Sequence, residues 1–146
     1  MAAAVTFFPV TDPRMAAARR IREIVFCDEQ QVPPALEWDE HEAICEHVLA
    51  ELGGLPLGAA RIRPYAPGVY KVERVAVLKE ARGQGLGLLI MAEIMRRLAD
   101  RNAAKVVLNA QAQVESFYHR LGFVSEGDRF MEAGIPHVHM TWQPSG

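Results

Sequence analysis

The sequence predicts an α/β (α+β) protein: a mixed sheet of six to seven strands with helices on both faces. Three observations carry this. Strand-like and helix-like stretches follow one another in the order β-α-β-β-β-α-β-α-β-β. Gly53-Gly54 and Pro67-Gly68 separate the consecutive strand-like stretches of the first half with turn signals. A glycine-rich run, Arg82 to Gly87, then joins a strand-like stretch to a helix-like one. Packing helices on both faces of one sheet is the economical way to bury such a set.

The elements follow in order. Val5 to Val10 reads as a first strand. Thr11 or Asp12 caps a helix with Pro13 in its first turn, where a missing N–H costs nothing. That helix is expected to run to about Asp28, with Ile21, Ile24 and Val25 inward. Arg14, Arg19, Arg20 and Arg22 form a solvated face or a substrate contact. Pro33-Pro34 stops helix formation, and an acidic, loop-like stretch follows to Glu42. Strands are expected over Ala43–Leu52, Leu57–Pro64 and Val69–Val77. Leu86, Leu89, Ile90, Ile94 and Leu98 recur at helical spacing, with Glu93, Arg96, Arg97 and Asp100 opposite. Lys105 to Asn109 is a short apolar strand, and Gln113 to Arg120 a short helix that stops at Gly122. Two closing strands follow, from Phe123 onward and over Pro136–Trp142.

A chain of 146 residues is read as one domain, 1–146, long enough to bury a core. Its net charge of −2 gives no field that argues for nucleic acid or an anionic membrane. Cys27 and Cys45 lack metal-type spacing and read as thiols in a reducing cytoplasm. The N-terminal run from Met1 to Val5 lacks the features of a signal peptide, and no apolar run approaches the ~20 residues of a membrane span. A cytoplasmic enzyme-sized domain with no bound metal is expected.

The glycine run suits an anion. Glycines let the backbone approach a ligand closely, and a helix start offers unpaired N–H groups and a positive dipole end. A Rossmann fingerprint would need glycine at Ile90, and a P-loop would need lysine at Leu88. What stands is R-x-x-G-x-G after Val75-Ala76-Val77.

That pattern resembles the pyrophosphate loop of the GNAT superfamily of acyl-CoA-dependent N-acetyltransferases. Further matches point to its ElaA/YjcF-like branch: Val25-Phe26 before Glu29-Gln30, Asn109-Ala110-Gln111-Ala112-Gln113, Phe117-Tyr118 with Leu121-Gly122-Phe123, and Glu132-Ala133-Gly134-Ile135-Pro136-His137. The resemblance covers nearly the whole chain and implies a mostly antiparallel sheet splayed between its fourth and fifth strands. It implies acetyl-CoA as co-substrate, with its diphosphate over Arg82, Gly83, Gln84, Gly85, Leu86, Gly87 and Leu88. Arg82 adds a charge contact or is merely solvated. The Val75 carbonyl and Val77 amide would pair with the pantetheine arm, and Val77 N–H would face the thioester carbonyl. Asn109 contacts the pantetheine or caps a strand end.

Amide formation needs a base for the incoming amine and a proton donor for the departing thiolate. The resemblance implies Tyr118 as the acid. His137 is the preferred base, Glu73 the alternative, and His139 and His47 weaker candidates. Strand alternation places Glu73, Val75 and Val77 on one face and Arg74 on the other. The cysteines have no paired base, so direct transfer is expected. The acceptor expected from the resemblance is a primary amine of a small molecule or peptide. Glu29, Asp39, Glu40 and Glu42 would form a negative rim for a cationic amine, whereas Arg61 and Arg63 would bind a carboxylate. A homodimer anchored near Trp142 is expected. A longer acyl group, an alcohol acceptor or a CoA-binding sensor without turnover are the alternatives.

Overall fold

The computed structural model describes residues 2–144; Met1, at the head of the N-terminal run, and Ser145-Gly146 lie outside them. Seven strands form one sheet: β1 (Ala3–Pro9), β2 (Glu46–Leu52), β3 (Leu55–Ala66), β4 (Val69–Val77), β5 (Lys105–Gln111), β6 (Val124–Glu132) and β7 (Ile135–Trp142). Their order is β1-β2-β3-β4-β5-β7-β6. Every neighbouring pair is antiparallel except β4–β5. Among the described residues four α-helices accompany it: α1 (Met15–Arg22), α2 (Pro34–Glu37), α3 (Leu86–Asp100) and α4 (Glu115–Arg120).

The two main helices take opposite faces. A Cβ on Gly58 would lie 2.8 Å from Ile90 and 3.3 Å from Leu86, so that face of β3 belongs to α3. Arg61, of opposite parity on the same strand, reaches Glu42, which also holds Arg22 of α1. Ile90, Met91, Ile94 and Leu98 of α3 are sealed against the sheet, as the helical spacing requires. On the other face Ala18, Ile21 and Val25 join Leu49 and Ala59 within the core. No helix among the described residues is long and apolar enough to cross a membrane.

Three local expectations are corrected. The helix meant to run to Asp28 is α-helical only to Arg22 and then widens into a π-helical segment, Glu23–Glu29. The Val25 carbonyl there accepts from Gln30 N–H at 3.2 Å, and Gln31 follows with φ 58°. Pro33-Pro34 does stop that helix, yet Pro34 then occupies the first turn of α2, where its ring fits. Residues Glu42–Ile44 form a 3₁₀ turn, so β2 begins at Glu46 rather than Ala43.

Candidate active site

The sheet opens where β4 and β5 should continue to pair. They share three positions, Val69–Lys71 opposite Lys105–Val107. Beyond Lys71, β4 pairs with β3 alone, and beyond Val107, β5 pairs with β7 alone. The expected splay between the fourth and fifth strands is therefore present. It opens a cleft of about 940 Å³ lined by Val75, Val77, the glycine run, Tyr118 and His137.

Backbone direction follows from one hydrogen bond. Leu78 N–H donates to the Leu57 carbonyl at 2.9 Å, on the β3 side. Alternation turns the N–H and C=O groups of Val77 and Val75 toward the splay. Apart from the Val77 carbonyl, which accepts from Arg82, the two strand edges leave amides and carbonyls open and fit an extended ligand carrying amides of its own.

The loop below is shaped for close approach. Gly83 and Gly85 have φ of 82° and 80°, a left-handed conformation that glycine adopts without strain. Gly85 is the N-cap of the fifteen-residue α3, whose first amides face the cleft mouth. A Cβ on Gly87 would stand in the cleft between Phe117 and Val77, 3.9 Å from each. Arg82 is less free than a phosphate ligand need be. Its Nε donates to the Val77 carbonyl at 2.9 Å and its Nη2 to Glu29 at 2.5 Å.

Tyr118 is 8% exposed and packs edge-on against Phe117 and Phe123. Burial alone pushes its phenol up to about 12. The phenol stays protonated and keeps its O–H available as a donor at physiological pH.

His137 sits on β7 beside Gln111 of β5, stacked on Phe130. The Ile135 carbonyl lies 2.7 Å from Nδ1 and can only accept, so Nδ1 carries the proton. That leaves the lone pair on Nε2, with Glu132 at 3.7 Å to stabilise a positive charge there. Glu132 and Phe130, whose roles the sequence did not suggest, are thus this histidine's supports. Of the other histidines, His47 is fully buried, bonded to the Glu42 carbonyl and absent from the cleft wall. Burial also lowers its pKa. His139 binds the side chain of Asn109 at 2.9 Å, and Asn109 also donates to Glu132 at 3.4 Å.

Glu73 is not on the face expected. Across the β3–β4 ladder, Glu73 opposes Arg61 and Ala76 opposes Ala59, so Glu73 and Ala76 share a face although they are three apart. An extra residue is accommodated between them as a bulge, with Arg74 at φ 60°. That angle strains a side chain other than glycine. Arg74 is held there by Glu37 at 3.0 Å, Asp39 at 3.2 Å and the Leu36 carbonyl at 3.2 Å. Two adjacent charges, Glu73-Arg74, inside an apolar strand were the signal for this bulge.

Neither proposed acceptor-binding set survives intact. Arg61, expected to take a substrate carboxylate, is fully buried and saturated by Asp39, Glu42 and Glu73. The negative rim is likewise consumed: Glu29 by Arg82, Asp39 by Arg61 and Arg74, and Glu42 by Arg22 and Arg61. Glu40 alone projects outward, beside His41. In this network burial pushes Asp39 up, but Arg61 outweighs it and the carboxyl lies at about 2. Burial prevails at Glu37, whose pKa is raised despite Arg22. Trp142, the expected partner anchor, is half-buried against Phe123 and Gly122.

A family profile described as "Acetyltransferase (GNAT) domain" matches residues 18–144. The uncharacterized N-acetyltransferase YjcF of Bacillus subtilis is 42% identical over 121 residues, covering 82% of this chain and 86% of its own. The crystal structure of an acyl-CoA N-acyltransferase from Pseudomonas aeruginosa superposes with a TM-score of 0.85 at 28% identity, covering 96% of this chain and 99% of the other. The crystal structure of Escherichia coli ElaA shares the fold, with a TM-score of 0.85 at 23% identity, covering 96% and 99% of the two chains.

Proposed function

The chain belongs to the GNAT acetyltransferase family, which uses acyl-CoA, and from that premise we propose that it moves an acetyl group from acetyl-CoA directly to a primary amine of a small molecule or peptide. The splay carries the reading: free backbone edges, a glycine-rich helix start at one end and a buried phenol beside them. The amides from Arg82 to Leu88 hold the diphosphate, and Val75 and Val77 pair with the pantetheine arm. The Val77 N–H donates to the thioester carbonyl oxygen as charge develops there.

His137 Nε2 takes the proton of the amine. Tyr118 donates a hydrogen bond to the departing sulfur. A phenol at about 12 is a weaker acid than a thiol near ~8.5, so it stabilises the thiolate better than it protonates it. Glu73 suits the base role less, since Arg61, Arg63 and Lys71 all crowd its carboxylate. Burial raises the Cys45 thiol to about 11 and raises Cys27 too, which favours direct transfer over an acyl-cysteine. A homodimer using the exposed Val124 and Met131 of edge strand β6 belongs to the same proposal, and light scattering reads it.

The test is thiol release from acetyl-CoA with a panel of amines, beside the melting temperature with acetyl-CoA alone. Release with an amine and a raised melting temperature are expected. A raised melting temperature without release for any acceptor would indicate a CoA-binding sensor instead.

A further inference from the structure

We propose that the acceptor amine carries a carboxylate, and that Arg63 and Lys71 read it. This rests on the transferase reading. Arg22, Arg61, Arg63, Lys71 and Arg74 gather on the α1 face with Glu37, Asp39, Glu42 and Glu73. The cluster has one more cation than carboxylate. The surplus can be located. Arg61 is sealed with all its donors used, Arg22 is sealed away from the cleft between Glu37 and Glu42 with only its Nη2 unpaired, and Arg74 is tied to Glu37 and Asp39.

Arg63 and Lys71 are left with Glu73, at 3.3 Å and 3.5 Å, after Arg61 has already bonded the same carboxylate. The Arg63 Nε is buried without a hydrogen-bond partner. Their side chains are only 13% and 14% exposed, and both lie over the Tyr65 ring. They face each other across β3–β4, and Lys71 is the last β4 residue paired with β5, so they stand at the root of the splay and line its cleft.

A half-buried guanidinium and ammonium sharing one occupied carboxylate lack a counter-ion. A planar fork beside a point charge suits a second carboxylate, supplied by the ligand. A purely cationic amine would instead meet a positive field, because the acidic residues nearby are already neutralised by arginines. Small amino acids therefore fit, and polyamines do not.

The experiment pairs amino acids with their carboxamides and decarboxylated amines. It measures both thiol release and calorimetric binding to the CoA-loaded protein. The carboxylated members should bind and react best. Arg63→Gln and Lys71→Gln should each weaken their binding by about ten- to a hundredfold and leave the carboxamides unchanged. An unaltered acetyl-CoA-induced rise in melting temperature confirms that the variants are folded. Release with carboxamides or polyamines at least as fast as with amino acids overturns the inference and leaves the transferase standing. Carboxylate binding that Arg63→Gln weakens, without release for any amine, sustains the carboxylate site at Arg63 and Lys71 and fells the transferase. Amino acids that do not bind overturn it.

Discussion

Arg61 and Glu73 face each other across β3 and β4, and two nitrogens of Arg61 donate to one oxygen of Glu73, at 3.1 and 2.9 Å. This pairing makes Glu73 a structural anion. Glu73→Gln leaves Arg61, Arg63 and Lys71 short of a countercharge in a mostly buried setting. The expected loss is about 3–5 kcal/mol in chemical denaturation, with the acid limb of the pH–rate profile in place. A stable variant that has lost that limb would make Glu73 the base.

His137→Gln should lower kcat by about 10²- to 10⁴-fold and remove the acid limb. Glu132→Gln should keep the limb and lower kcat far less, because Nε2 keeps its lone pair and only the carboxylate 3.7 Å from it is gone. The two profiles, measured under saturating acetyl-CoA, separate the base from its support.

Tyr118→Phe keeps the packing against Phe117 and Phe123 and deletes the donor. We expect kcat to fall by about 10²- to 10⁴-fold with acetyl-CoA affinity nearly unchanged. Since burial holds this phenol at about 12, no alkaline limb below pH ~10 should belong to it. Unchanged kcat would remove Tyr118 from the mechanism.

Glu29 competes with a ligand phosphate for Arg82. Glu29→Gln should tighten acetyl-CoA binding by about two- to fivefold, the scale of an exposed ion pair. Calorimetry checks it. Weaker binding would mean that Glu29 positions Arg82 rather than withholding it.

Acid should unfold the chain in a defined window. Asp39, at about 2, and Glu42, also lowered, stabilise the fold above the ordinary carboxylate range and lose that contribution as pH falls through their folded values. Glu37 is raised, so acidification first relieves a cost there. The melting temperature should hold or rise slightly from pH 7 to about 4.5, then drop steeply toward pH ~2. Asp39→Asn should lower the neutral-pH value and flatten the drop.

The element order was legible because its signals are local: Gly53-Gly54 turns a hairpin, Gly122 stops α4, and Leu86 to Leu98 repeat at helical spacing. The glycine run and Tyr118, each on the element its local sequence marks, both line the cleft. The fates of Arg61 and Asp39 were not legible, since their partners lie 22 residues apart in the chain and meet only after the sheet and α2 assemble. The bulge at Arg74 is set from farther still, by Asp39 and Glu37, 35 and 37 residues back along the chain. Even the widening at Glu23–Glu29 needs a carbonyl one position earlier than an α-helix would use, a choice that periodicity does not record.

Arg74 answers two demands that no other residue meets together. Glycine or asparagine would take its φ of 60° at less strain but could not span to Glu37 and Asp39. Lysine would bring a charge without the planar fork and would keep the strain. Any single exchange trades one defect for another. This position is therefore a trap for stepwise redesign, and altering the bulge requires changing residues of α2 in the same move.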